Sequence, residues 1–119
     1  MGKHYDFGKE GEDLAAAFLV QNGYQLRTRN YRYLKSEIDI IAEQDGVLAI
    51  VEVKSRKSDY VQGIAEAVNK KKIQQLVKAA DHYVSTQNVQ LEIRFDIITI
   101  LKNANSFEIE HIKDAFYHF

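Results

Sequence analysis

The sequence predicts an α/β domain in which a mixed β-sheet is flanked by helices, with the elements in the order αβββαββ. Three observations predict it. Apolar residues recur at helical spacing in two separate stretches, two β-rich runs meet at Asp45-Gly46, and apolar and polar residues alternate from Leu91 to Ile97. A helix standing between the third and fourth strands makes a crossover the expected connection there, and hence a partly parallel sheet.

The first helix is expected from Lys9 to Asn22, a stretch without Pro, rich in Ala and Leu, acidic in its first turn and followed by Gly23 as a C-terminal stop. Tyr24 to Tyr33 mixes Leu26, Thr28 and Tyr31 with Arg27, Arg29 and Arg32, the pattern of a short basic strand running into a loop. Glu37 to Ala42 and Val47 to Val53 form a hairpin, since Asp-Gly between β-rich runs is a strong turn signal. After a polar stretch from Ser55 to Gly63, the residues Ile73, Leu76, Val77, Ala80, Tyr83 and Val84 mark a second amphipathic helix from about Ile64 to Ser85. Leu91 to Ile97 and Phe107 to Ile112 complete the strands, with Asn103 to Ser106 as the turn between them.

The 119 residues make one domain and one core, for which 45% apolar residues suffice, while 28% charged residues keep the exterior wet. The absence of Cys excludes disulfides, thiol catalysis and cysteine-ligated metals, and suits a reducing compartment. The expected location is the cytoplasm, with no membrane association: the N-terminal residues lack the apolar core of a signal peptide, and the longest apolar run, Leu14 to Val20, is far short of a span. The net charge of −1 hides an asymmetry, for residues 1–80 carry 13 Lys/Arg against 11 Asp/Glu and residues 81–119 carry 3 against 6. Were a metal to occupy several acids of the first part, its surroundings would become basic, as a phosphate-backbone partner requires.

Counting register on the hairpin locates the chemistry. With Asp45 and Gly46 as a two-residue turn, Asp39 faces Glu52, Glu37 faces Lys54 and Ile41 faces Ile50 on one side, while Ile38, Ile40 and Ala42 meet Val53, Val51 and Ala49 on the other, the core side. Opposed carboxylates repel unless a cation lies between them, so Asp39 against Glu52 invites a metal, and hard oxygen ligands suit Mg²⁺ or Mn²⁺ better than zinc. Lys54, two residues from Glu52 on the same face, could orient a water or stabilise developing charge. Alternation alone equally allows an exposed face on which Glu37 and Lys54 form a surface ion pair and Asp39 and Glu52 are solvated. A three-residue loop without a bulge would separate Asp39 from Glu52 altogether.

The strings Ser36-Glu37-Ile38-Asp39-Ile40-Ile41-Ala42 and Val51-Glu52-Val53-Lys54-Ser55-Arg56 resemble the signature of the YraN-like (UPF0102) family. That family is similar to Holliday-junction resolvases and stands with the PD-(D/E)xK nucleases, in which an acid is followed on the next strand by Glu-x-Lys. Gly8-Lys9-Glu10-Gly11-Glu12 with Ala15, Arg29-Asn30-Tyr31 and Arg94-Phe95-Asp96 extend the likeness over most of the chain. The resemblance implies a restriction-endonuclease-like sheet and a metal bound by Asp39, Glu52 and the carbonyl of Val53, with Glu12 reaching in from the first helix. Ser36 departs from the family's usual Gly, which bears on the local backbone more than on the ligands.

Glu12 is also an ordinary first-turn acid, favourable against the helix dipole, yet it shares a stripe with Ala15, Ala16 and Leu19 and so belongs at the rim of the buried face. The catalytic candidates are therefore Asp39, Glu52, Lys54, Glu12 and Glu37. Asp96 reads as structural. For nucleic-acid contact the candidates are Arg27, Arg29, Arg32 and Lys35, interleaved with Tyr31 and Tyr33, and Arg56 and Lys57 after the Glu-x-Lys strand; cations hold phosphates and rings stack bases. Lys70, Lys71 and Lys72 read as a solvated helix face. His4, His82, His111 and His118 lie at no metal-ligand spacing and read as surface or packing residues, and no glycine loop followed by Lys-Ser/Thr points to nucleotide hydrolysis.

The leading expectation is Mg²⁺- or Mn²⁺-dependent hydrolysis of phosphodiester bonds in DNA, branched or otherwise structured DNA included; a homodimer is compatible with it. Its rivals are a non-catalytic nucleic-acid-binding module of the same fold and a protein-interaction domain whose hairpin acids bind a basic partner.

Overall fold

In the computed structural model, residues 7–57 and 69–116 are described. They form α1 (Phe7–Gln21), β1 (Gln25–Tyr33), β2 (Ser36–Gln44), β3 (Val47–Lys57), α2 (Lys70–Thr86), β4 (Glu92–Lys102) and β5 (Phe107–Ile112). The five strands make one mixed sheet in the order β1-β2-β3-β4-β5, antiparallel except for the parallel pair β3–β4 that flanks α2. This is the α/β order expected from the sequence.

α1 buries Gly11, Ala15, Ala16 and Leu19, a stripe of small residues that lets it lie close on the sheet. A Cβ on Gly11 would overlap Ser55 Oγ and stand 3.2 Å from Ser55 Cβ, so the missing side chain is what lets this helix approach β3. The helix stops as its sequence requires: Gly23 has φ +90°, its N–H donates to the Val20 carbonyl, and the Tyr24 N–H donates back to the Leu19 carbonyl at 2.9 Å. That pair of bonds is a Schellman motif. At the start of α2, Asn69 Oδ1 accepts from the Lys72 N–H at 2.9 Å, an N-cap that fixes the helix start at Lys70. Positions 64–68 of the expected second helix lie outside the described residues, as do 58–63 of the expected polar loop.

Each helix covers one face. Ala15, Ala16, Leu19 and Tyr24 pack on Ile40, Ala42, Ala49, Val51, Ile98 and Ile100. On the other face Leu76, Ala79, Ala80 and Tyr83 pack on Ile38, Ile41, Leu48, Ile50 and Phe95. The sheet therefore has two buried faces where a single core side was expected, and the alternative of a solvated hairpin face is overturned: Ile41 is fully buried and Ile50 is 2% exposed.

Three strands run further than their side chains suggest. β1 continues to Tyr33 instead of opening into a loop, because Tyr33 pairs with Ser36 across a tight turn. β3 and β4 stay hydrogen-bonded from Val47↔Glu92 to Lys57↔Lys102, so Ser55, Arg56 and Lys57 belong to the strand although their polarity reads as loop. Backbone pairing with a neighbour far in sequence decides such ends, and local propensity does not.

Candidate functional site

Asp45 and Gly46 have φ of 51° and 81°, both left-handed as a type I′ turn demands, and the register from Gln44↔Val47 to Ile40↔Val51 is the one expected from the sequence. The ladder ends there. At the next position the strands part, and Asp39 Oδ2 accepts a hydrogen bond from the Val53 N–H at 2.8 Å, so a side chain takes the place of a ladder bond. On the other side of β2 the pairing also skips Asp39, passing from Arg29↔Ile40 to Tyr31↔Ile38, and the residue across from it, Asn30, has φ 53°. This double irregularity corrects one expectation: Ile38 joins the α2 cluster while Ile40 joins the α1 cluster, although strict alternation would put them on one face.

The opening between β2 and β3 is a cavity of about 310 Å³ lined by Lys35, Ser36, Glu37, Asp39, Glu52, Lys72 and Gln75. Glu52 is 4% exposed, and its Oε2 lies 3.1 Å from Lys54 Nζ and 2.5 Å from Lys72 Nζ. Burial, and then the charge of Glu52, pushes the Asp39 carboxyl up to about 7; the Val53 N–H and the Lys72 ammonium pull it back, and Glu12 pushes it up further. Burial lowers the Lys72 ammonium's pKa, but its hydrogen bond and charge interaction with Glu52 outweigh that and leave it above its ordinary value.

Glu12 approaches from α1: its Oε1 accepts from Asn30 Nδ2 at 3.1 Å, at the irregularity facing Asp39. The structure thus places Asp39 and Glu52 on one cavity, with Lys54 against Glu52, Glu12 within electrostatic reach of Asp39, and Val53 supplying its N–H to Asp39. Glu37 departs from expectation. It lines the cavity but lies 3.6 Å from Arg32, not against Lys54, because the strands have parted and Lys54 turns to Glu52.

The basic stretch does not form one patch. Arg27 sits at a bulge in β1 and donates to Tyr83 Oη at 2.9 Å and to Glu43 at 2.7 Å, on the α2 side. Arg29 donates to Asp13 of α1 at 2.8 Å. Arg32 is exposed, Lys35 lines the cavity, Arg56 donates to the Ser55 carbonyl at 2.8 Å, and Lys57 is exposed at the end of β3. The bulge at Arg27 and the left-handed Asn30 turn neighbouring cations to different sides, which even spacing in the sequence conceals.

Lys72 is the residue that reading the triplet 70–72 as a solvated face missed. Asn69 was the available signal: as N-cap it puts three lysines in the first helical turn, where the helix dipole disfavours cations and an acid partner is therefore favoured.

Asp96 is structural, as expected. It is fully buried, takes both forks of Arg94 at 2.8 Å, and accepts from the Asp114 N–H at 3.0 Å; Arg94 in turn reaches Tyr24 Oη at 2.7 Å. His111 Nε2, 2.8 Å from Asp96 Oδ2, belongs to this network, and His82 bonds Tyr31 Oη and stacks on Tyr33. His4 and His118 lie outside the described residues.

Among the described residues no group of three His, Asp or Glu side chains is assembled as a metal cluster. Asp39 and Glu52 are hard oxygen donors of the kind that could hold a divalent ion keeping several waters, and the Lys72 ammonium on Glu52 shows where a cation is held now. No described helix is long and apolar enough to cross a membrane.

The profile described as uncharacterised protein family UPF0102 matches residues 11–100, which include Glu12, Asp39, Glu52, Lys54 and Lys72. A UPF0102 protein of Flavobacterium psychrophilum is 49% identical over the whole of both chains, and one of Christiangramia forsetii is 45% identical over the whole of both. One of Phocaeicola vulgatus is 44% identical over 98% of this chain and 97% of its own. With the profile and full-length relatives in agreement, the chain belongs to the UPF0102, or YraN-like, family.

Proposed function

We propose that this protein is a Mg²⁺- or Mn²⁺-dependent nuclease acting on phosphodiester bonds in DNA, working in the cytoplasm. The observation that carries the reading is the parting of β2 and β3 at Asp39, which gathers Asp39 and Glu52 in one cavity where burial and mutual repulsion raise the Asp39 carboxyl to about 7. Two acids held together at that cost, in an otherwise well-satisfied hairpin, are the arrangement a divalent cation relieves.

Asp39 and Glu52 would hold the ion, with the Val53 carbonyl as a further oxygen donor. The ion would supply a polarised phosphate and a water of lowered pKa. The chain's own groups do the rest. The Val53 N–H fixes the Asp39 carboxylate, Lys54 places a cation beside Glu52 for the charge that develops on phosphate, and Glu12, tied through Asn30, adds a negative charge that favours a cation at Asp39.

One observation favours a second reading, a non-catalytic nucleic-acid module: Lys54 and Lys72 already neutralise Glu52 without a divalent ion. A protein-interaction role for the hairpin acids fits less well, because Glu52 is buried beyond the reach of a basic partner. Calorimetric titration with Mn²⁺, followed by cleavage assays on duplex, gapped and branched DNA, distinguishes them. Metal binding with cleavage, both lost in Asp39→Asn, supports the nuclease; DNA binding with neither metal uptake nor cleavage supports the module and sinks the nuclease.

A further inference from the structure

The cavity at Asp39 and Glu52 does not end at the carboxylates. It shares Lys35, Ser36 and Gln75 with a neighbouring cavity of about 350 Å³, which in turn shares Tyr33, Leu34 and Lys78 with a third. Together they form a groove running from the acids along the β1–β2 turn and the side of α2.

The turn bordering this groove is built against its own interest. Leu34 is the first of its two turn residues, with φ 55°, a conformation suited to Gly or Asn, and its side chain is 79% exposed. Neither backbone nor side chain gains anything for the fold from a leucine here. The left-handed residue is Leu34 and not Ser36, so Ser36 does not carry the strain.

Behind Leu34 the turn is rigidly backed. The Tyr33 ring stacks on His82 at 4.0 Å and 18°, His82 bonds Tyr31 Oη, and Tyr31 meets Tyr83 edge-on at 5.2 Å. An aromatic platform held in place by its neighbours loses little freedom when another ring stacks on or beside it. Lys35, Lys72 and Lys78 line the groove, while its acids apart from the site are Glu37, which faces Arg32, and Asp81 at the far end. Apolar wedge, supported ring and flanking cations are the features that recognise unpaired bases and their phosphates.

We propose that this groove receives the unpaired bases of a DNA strand, with Leu34 as a wedge at the boundary between duplex and single strand and Lys35 and Lys78 on the phosphates. The proposal rests on the nuclease reading of Asp39 and Glu52 and specifies its substrate: DNA in which duplex is interrupted by an unpaired segment.

The test is fluorescence anisotropy with the full chain in EDTA, using a duplex interrupted by a short single-stranded gap and the same duplex intact. Wild type binds the gapped probe more tightly. Leu34→Gly lowers affinity for the gapped probe about tenfold, the order expected when an aliphatic wedge loses its apolar contact with a base, and leaves the intact duplex unchanged. Its melting temperature is unchanged or higher, since glycine accepts the left-handed backbone. Lys78→Gln weakens both probes and makes the logarithmic salt slope shallower by about one.

Equal binding of the two probes by wild type, or a gap preference that survives Leu34→Gly, overturns the proposal. So does a clear fall in melting temperature for Leu34→Gly, which would show that Leu34 serves the fold. Sedimentation covers the remaining occupant: self-association of wild type that Leu34→Gly abolishes, with DNA affinity unaltered, makes the turn an interface between copies and overturns it. Because EDTA removes divalent ions from every arm, a Leu34-dependent gap preference in a protein that takes up no Mn²⁺ fails the nuclease reading while supporting the groove.

Discussion

Asp96 and Glu52 are both nearly sealed from solvent, yet the carboxylate neighbourhoods they belong to are opposites. Asp96 on β4 receives two guanidinium donors, a backbone N–H and the His111 ring, and although burial pushes its carboxyl up, those partners hold it below the ordinary range. Asp39 has one backbone N–H and two acids, Glu52 and Glu12, within electrostatic reach, and is pushed up instead. A buried charge whose donors come from the chain itself is part of the scaffold. On the function proposed above, a half-buried carboxyl left short of donors is where a cation would bind, a contrast that burial alone does not draw.

The largest effect that could break this contrast is on the scaffold side. Asp96→Ala leaves Arg94 and the Asp114 N–H without their acceptor, and a loss of about 3–5 kcal/mol in urea unfolding is expected, as when one partner of a buried ion pair is removed. Asp39→Asn, which removes a repelled charge, leaves the metal-free protein as stable as wild type or more so. Equal losses in the two variants would erase the distinction.

The two carboxylates also predict opposite responses to pH. Asp39 has a folded pKa of about 7 against an unfolded value of 3.8, so between pH 4 and 7 the native state binds more protons, and stability falls as pH rises through that window at up to ~1.4 kcal/mol per unit. Asp96, being lowered, contributes stability that is complete above pH 3.8 and is lost only as pH falls further. Urea midpoints in EDTA from pH 3 to 8 check both: Asp39→Asn flattens the fall above pH 4 and leaves the acid limb in place. An unchanged slope in Asp39→Asn would mean its carboxyl is not raised.

Divalent metal sharpens the comparison further. An ion that binds only the folded protein stabilises it by about 1.4 kcal/mol at ten times Kd, and because it needs the ionised carboxylate the gain grows as pH rises toward 7. Thermal melts with excess Mn²⁺ should show this rise in wild type and in an Arg94→Lys variant of the scaffold network, and lose it in Asp39→Asn.

The smallest expected change is the most pointed. Lys72→Gln removes the ammonium that sits on Glu52, so Mn²⁺ should bind a few-fold more tightly, as expected when a competing cation is withdrawn. Weaker Mn²⁺ binding in calorimetry would instead make Lys72 an organiser of the metal ligands.

The elements and their order were legible in the sequence because each carries its own local signature: the small-residue stripe and Gly23 of α1, Asp45-Gly46 in the hairpin, the alternation of Leu91 to Ile97. The hairpin register followed from the same turn, since a two-residue loop admits one pairing. That register put Asp39, Glu52 and Lys54 on one face and left open whether the face was solvated; it was the resemblance of Asp39 and Glu52-Val53-Lys54 to a nuclease motif that made them site candidates. The parting of β2 and β3 was not legible, and it decides which residues meet the site. It arises where Asp39 trades a ladder bond for the Val53 N–H opposite a left-handed Asn30, a balance of contacts across three strands that no single segment encodes. The separate fates of Arg27, Arg29 and Lys72 were hidden for the same reason: a cation's partner is chosen by which acid the fold brings near. Alternation and turn chemistry are properties of neighbours along the chain, whereas the charge balance of a buried site sums groups from α1, β2, β3 and α2, and exists only once those elements have packed.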